Sequence, residues 1–118
     1  MKTVQEEKHI LEELAISYKR ITVILRQAKW SVFCPESYAM LEKLSQHYTQ
    51  VGFVKVDVDE IPIVDHITTP TVMLHIGDVM VDLLQEADII NFEKILFKWL
   101  RVTDPAYRHV SMNCQWLL

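Results

Sequence analysis

The chain has 118 residues, half of them apolar, and a formal net charge of −4. This length suits one domain spanning 1–118, and the apolar content is enough for a core that needs no disulfides. The acidic balance argues against a basic surface, so no nucleic-acid partner is expected. Two cysteines and the absence of a long apolar run or leader predict a soluble protein of the reducing cytoplasm, without a membrane partner.

The apolar residues change their spacing several times along the chain. Spacing of three and four residues predicts amphipathic helices, and short β-branched apolar runs predict buried strands. Gly77-Asp78 lies between two such runs and predicts a hairpin turn. The predicted elements in chain order are a strand at 3–5, a helix at 6–18, a strand at 21–25, a helix at 35–49, strands at 53–58, 72–76 and 79–83, and a last helix. The apolar stripe of that last helix runs from Ile90 to Leu100, and the helix ends at or shortly before Asp104-Pro105.

The ends of these helices also carry signals. Pro35 and Glu36 favour the first turn of the second helix, because proline and acidic side chains suit a helix start. Asp88 or Asn91 can serve as the N-cap of the last helix. The acidic residues of the first helix, Glu12 and Glu13 among them, are expected to face solvent.

Helices that connect parallel strands must cross over the faces of one sheet. The two strands of the hairpin, in contrast, must be antiparallel. The sequence therefore predicts an α/β protein, a three-layer α/β/α sandwich around a mixed sheet of four or five strands.

Four short motifs occur in one order and resemble thioredoxins, over residues 3–100. In that family Ala-x-Trp stands just before the active site, Leu-Ser-x-x-Tyr lies late in the following helix, an acidic motif ends the next strand, and x-Pro-Thr opens the one after. The corresponding residues are Ala28-Lys29-Trp30, Leu44-Ser45-Gln46-His47-Tyr48, Val56-Asp57-Val58-Asp59 and Thr69-Pro70-Thr71. The resemblance implies the thioredoxin fold, and it leaves residues 101–118, with Cys114, as a tail.

The same resemblance implies that the redox apparatus is incomplete. It aligns Ser31 with the nucleophilic cysteine of the family and Cys34 with the resolving cysteine. It also aligns Leu25 with a buried acid. Serine forms no mixed disulfide and does not ionise near neutral pH, so the dithiol cycle is expected to be absent. The protein is then a binding or scaffold module without a cofactor, and not an enzyme.

An alternative alignment keeps a thiol in the active position. It places Cys34 at the N-cap of a helix that starts at Pro35, followed by Ser37 in a Cys-x-x-Ser motif. Unpaired N–H groups at a helix start lower a thiol pKa, so Cys34 would act as the nucleophile of a monothiol thiol-disulfide oxidoreductase or isomerase, with glutathione as its co-substrate. A third interpretation makes Cys34 a small buried apolar residue.

The resemblance also implies a groove that binds a protein or peptide partner. Its residues would be Trp30, Val32, Phe33, Thr69 and Pro70, with a cis peptide bond before Pro70. The backbone of Thr69 would then pair with an extended peptide. The five histidines are scattered and predict no metal site. The oligomeric state does not follow from the sequence.

Overall fold

The computed structural model describes residues 1–4, 7–28, 34–57, 70–85 and 91–107. Five strands and three helices form in these ranges. In chain order they are β1 (Lys2–Val4), α1 (Glu7–Leu14), β2 (Ile21–Gln27), α2 (Cys34–His47), β3 (Gly52–Asp57), β4 (Thr71–Ile76), β5 (Val79–Gln85) and α3 (Phe92–Thr103), followed by a 3₁₀ turn at Pro105–Tyr107.

The five strands form one sheet in the order β1-β3-β2-β4-β5. Strand β3 pairs in parallel with β1 and with β2, whereas β4 is antiparallel to both β2 and β5. This arrangement confirms the predicted mixed sheet and fixes its size at five strands. Since β1, β2 and β3 are parallel, the helices between them cross over the faces of the sheet.

Alternation along β2 divides the core between the two faces of the sheet. Val23 and Leu25 point to one face and are fully buried with residues of α2 and α3, such as Leu41 and Leu96. Ile24 points to the other face, where the smaller cluster includes Leu14 of α1. Helix α1 therefore covers one face and α2 with α3 the other, which confirms the α/β/α sandwich.

Strand β2 is two residues longer than the apolar run predicted. Arg26 and Gln27 are polar, so the run ends at Leu25, but both residues still pair with Val56 and Asp57 of β3. Arg26 is only 3% exposed. Backbone pairing with β3, and not side-chain polarity, decides where this strand ends.

The predicted helix over 6–18 is wrong at its end. Helix α1 ends at Leu14, and Tyr18, at the end of the predicted helix, is 78% exposed. The hydroxyl oxygen of Ser17 accepts a hydrogen bond from the N–H of Lys19, and the Ser17 carbonyl accepts one from Arg20. Such local bonds compete with helical ones, so the chain turns toward β2.

The prediction that the acidic residues of α1 face solvent is wrong for Glu13. It is 8% exposed, and its carboxylate pairs with Lys2 at 3.0 Å and Arg20 at 3.2 Å. Two cations from separate elements compensate for the loss of hydration, which a one-helix pattern cannot reveal.

The hairpin predicted at Gly77-Asp78 is present, with Gly77 at a φ of +60°. At the start of α3, Asn91 occupies the N-cap position but makes no capping hydrogen bond with its side chain, and Asp88 lies outside the described residues. Beyond residue 100 the chain stays packed as far as Tyr107, whose ring lies 5.8 Å from that of Phe97. None of the described helices is both long and apolar enough to cross a membrane.

Candidate functional site

The predicted site residues gather at one end of the sheet. Strands β2 and β3 end here, β4 begins here, and α2 starts above it. Pairing of Gln27 with Asp57, and of Arg26 with Thr71, brings the three strand ends together. We call this end, defined by Ala28, the start of α2, Asp57 and Thr71, the site edge.

Helix α2 begins at Cys34, one residue before the predicted start. Fourteen residues long, it leaves the N–H groups of its first turn directed toward the site edge. Pro35 and Glu36 are exposed in this turn, whereas Ser37 is 8% exposed. Cys34 thus occupies a position at which the helix dipole favours negative charge.

Beneath α2, the floor of the site edge is apolar at the position where the resemblance implies an acid. Leu25 has no exposed surface and belongs to the same cluster as Leu41 of α2 and Val72 of β4. Leu25 pairs with Lys55 on one side and with Val72 on the other. A leucine here neither accepts a proton nor carries charge, so this position contributes packing alone.

Polar side chains share this face of the sheet, at the level of Leu25 and one pleat nearer to the end of the strands. Lys55 of β3 shares the face with Leu25, and its ammonium lies 4.9 Å from the ring centre of Tyr38 in α2. Asp57, two residues on, is 7% exposed. A carboxylate is therefore enclosed at the end of β3, within the site edge.

The opposite face of the site edge holds a charge that the sequence did not point to. Arg26 and Thr71 pair across β2 and β4, and they are 3% and 0% exposed. Both residues, like Ser37 and Asp57, make interactions within the protein. In the sequence, Arg26 directly follows a buried apolar run, and a cation at that position is typical of the end of a strand. The sequence pattern therefore does not indicate that Arg26 is buried.

Only part of the predicted site lies within the described residues. Pro70 is buried and directly precedes β4, and Cys34 is the first residue of α2. The remaining predicted residues lie outside the described residues, and they are Trp30, Ser31, Val32, Phe33 and Thr69. Over the described ranges, no group of three or more histidine, cysteine, aspartate or glutamate side chains could hold a metal ion.

A central sheet in the order β1-β3-β2-β4-β5, with α1 on one face and α2 and α3 on the other, defines the architecture of the thioredoxin fold. No family model and no curated protein matches the chain. Solved structures do match it. The chain is similar to a thioredoxin of Plasmodium falciparum at 25% identity, with a TM-score of 0.74 over 83% of this chain and 98% of that one.

Two further solved structures agree. A thioredoxin of Nicotiana alata is 24% identical, with a TM-score of 0.74 over 82% of this chain and 90% of its own. The mitochondrial thioredoxin 3 of Saccharomyces cerevisiae is 24% identical, with a TM-score of 0.73 over 83% of this chain and 94% of its own. The protein thus has the thioredoxin fold, as the sequence motifs predicted.

Proposed function

We propose that this thioredoxin-like protein binds a protein or peptide partner at the site edge and has no dithiol oxidoreductase activity. The observation that carries the proposal is the burial of Leu25 in an apolar cluster directly beneath α2. Leucine has no carboxylate, so the residue at this position cannot accept a proton from a catalytic thiol. On this proposal the protein needs no cofactor and works in the reducing cytoplasm.

The chemistry of Ser31 supports the same conclusion. Reduction of a disulfide starts with attack by a thiolate and passes through a mixed disulfide, which a second thiol resolves. A serine at the attacking position forms no such intermediate. Cys34 would remain at the position of the resolving thiol, but no mixed disulfide would form for it to resolve.

Binding would use the groove of Trp30, Val32, Phe33, Thr69 and Pro70. Within the described residues, β4 is paired along both edges, with β2 on one side and β5 on the other. An extended peptide could therefore pair only with the backbone ahead of β4, at Thr69, where the buried Pro70 fixes the entry of the strand.

The test has two parts. The first is turnover of insulin disulfides with dithiothreitol as reductant, for which we expect no acceleration over the protein-free reaction. The second is selection of a displayed library of random nine-residue peptides on the immobilised protein. Enriched peptides should bind Trp30→Ala at least tenfold more weakly, while Val102→Ala, an exposed position on α3, keeps the affinity. Insulin turnover, or binding that ignores Trp30, would contradict the proposal.

A second candidate function rests on the start of α2. Cys34 is the first residue of a fourteen-residue helix, a position at which the helix dipole stabilises a thiolate. In this function Cys34 attacks the disulfide of glutathione or of a protein, a mixed disulfide forms, and one thiolate leaves. A further thiol from solution then releases Cys34.

Alkylation rates measured against pH separate the two functions. A pKa of the Cys34 thiol below about 7, together with a stable glutathione adduct, supports the monothiol enzyme; a pKa near 8.5 or above, without turnover, supports the binding module. Cys34→Ser should remove the reactive thiol, and Cys114→Ser is the matched control that keeps it.

A further inference from the structure

Two methionines and a histidine lie on one face of the β4–β5 hairpin. Met73 and His75 are two residues apart in β4, so their side chains point to the same face of the sheet. Met80 of β5 pairs directly with His75, and side chains paired in this way share a face. Met73 packs against the cluster that contains Ile24, so this is the face that α1 covers. We call Met73, His75 and Met80 the hairpin cluster.

The strand register keeps the three side chains of the hairpin cluster close together. Directly paired residues of antiparallel strands have Cα atoms about 5 Å apart, and residues two apart in one strand are separated by about 7 Å. Methionine is unbranched and flexible, so its sulfur can approach a neighbouring side chain. Two thioether sulfurs and one imidazole can therefore converge on one point. Spacing among histidines does not reveal such a set, because its other two members are methionines.

The imidazole of His75 is available as a ligand. Its Nδ1 is buried and has no hydrogen-bond partner in the described part of the chain. Burial lowers the pKa of His75 below the ordinary value of 6.5, although the charge of Asp78 in the hairpin turn acts in the opposite direction. The imidazole is therefore mainly neutral at pH 7 and offers a lone pair. The negative charge of Asp78 also favours a cation nearby.

We propose that the hairpin cluster binds one copper(I) ion through the sulfurs of Met73 and Met80 and the imidazole of His75. Thioether sulfur is a soft ligand that selects copper(I), and imidazole also suits copper. Magnesium and calcium require oxygen ligands instead. Zinc is held by cysteine, histidine and carboxylate side chains, and the described ranges contain no group of three such residues that could hold a metal ion.

The hairpin cluster is open to solvent beside Met80, which is 50% exposed, whereas Met73 and His75 are partly buried. An ion can thus enter past Met80 and reach the imidazole. The cluster lies toward the turn that ends β4, and the site edge lies where β4 begins. The proposal therefore does not depend on the function proposed for the site edge.

Titration with copper(I), kept reduced by ascorbate, tests the proposal. Cys34→Ser and Cys114→Ser are introduced first, because thiolates bind the same ion. This protein should retain one equivalent of copper(I) against the chelator bicinchoninate. Met80→Leu and His75→Gln should each weaken binding at least tenfold, since each removes a ligand. Met40→Leu, on α2, is the matched control that should keep the affinity, because leucine replaces methionine with little change in volume.

NMR spectra of the protein with all its methionines give a second measurement, which does not depend on how the variants fold. Silver(I), which shares the ligand preference of copper(I), should shift the ε-methyl signals of Met73 and Met80 and leave that of Met40 in place. Loss of all copper(I) to the chelator, or equal affinity in Met80→Leu and Met40→Leu, would overturn the proposal. So would a methyl signal of Met73 or Met80 that silver(I) leaves unchanged.

Discussion

The hydroxyl of Tyr48 donates a hydrogen bond of 2.9 Å to Oε2 of Glu93, and both side chains are buried. The bond joins the end of α2 to the start of α3 on one face of the sheet. Tyr48 belongs to the Leu-Ser-x-x-Tyr motif that carried the resemblance to thioredoxins. Its ring packs in the main apolar cluster, so the motif residue has both an apolar and a polar role.

Removing the donor should destabilise the protein without altering its packing. Tyr48→Phe keeps the ring but leaves the Glu93 carboxylate buried without this hydrogen bond. We expect a loss of about 1–3 kcal/mol in the free energy of unfolding, measured by urea denaturation at neutral pH. Glu93→Gln in the Tyr48→Phe background should recover part of the loss, because an amide is less costly to bury than a charge. No recovery would mean that packing dominates.

Glu93 also predicts a dependence of stability on pH. Burial raises the pKa of its carboxyl above the ordinary value of 4.5, although the hydrogen bond from Tyr48 and the charges of His47 and Lys43 act in the opposite direction. With a raised pKa in the folded state, the stabilising contribution is complete below pH 4.5 and is lost as the pH rises through the folded pKa. As the pH rises through this pKa, the free energy of unfolding of the native protein should therefore decline relative to that of Glu93→Gln.

Glu13 predicts the opposite dependence on pH. Burial raises the pKa of its carboxyl, but the hydrogen bonds and charges of Lys2 and Arg20 outweigh burial and leave the pKa lowered overall. Its contribution is present above pH 4.5 and is lost as the pH falls through the lowered pKa. Glu13→Gln should thus cost stability at neutral pH and converge with the native protein in acid. Urea denaturation across this pH range measures both variants, and parallel curves would contradict the assignment.

Replacing each of the two glycines of the chain by alanine gives a matched pair of variants. Gly77→Ala forces a side chain onto a φ of +60°, with the new Cβ 2.8 Å from the Tyr18 carbonyl oxygen. We expect it to lower the free energy of unfolding by about 1–3 kcal/mol. Gly52→Ala meets only the end of the Arg20 side chain, at 2.5 Å, which can move at the expense of its pairing with Glu13. It should therefore cost less than Gly77→Ala, and thermal denaturation would contradict this ranking if the order were reversed.

Two substitutions of serine by cysteine determine which alignment of the site is correct. Ser31→Cys restores a Cys-x-x-Cys motif that ends at Cys34, whereas Ser37→Cys creates one that begins there. If Ser31 occupies the position of the nucleophile, Ser31→Cys should form a disulfide with Cys34 under mild oxidation and gain insulin reductase activity. Ser37→Cys should gain neither.

The gain from Ser31→Cys should stay limited, since Leu25 supplies no proton acceptor. Thiol counting by mass and the insulin assay give the two readouts. A gain confined to Ser37→Cys would instead establish Cys34 as the attacking thiol and support the monothiol enzyme.

Local pattern in the sequence determined the identity and order of the elements. Alternating and helical spacings depend on which face of an element contacts the core, and this information is contained within each segment. The resemblance to thioredoxins, carried by four short motifs in one order, then implied the thioredoxin fold. The same reasoning placed the candidate site at a strand-to-helix junction, and α2 indeed begins at Cys34.

The tertiary structure alone decided which charged and polar side chains are buried. Arg26 follows the predicted end of a strand, and Glu13 was predicted to lie on the surface of a helix, because their own segments contain no partner for a buried charge. They are buried because neighbouring strands and cations from Lys2 and Arg20 enclose them. Tyr18, in contrast, lies at helical spacing from Leu14 but is exposed, since α1 ends at Leu14 and the chain turns at Ser17. Burial of a charge depends on residues distant in the sequence, and no local period encodes it.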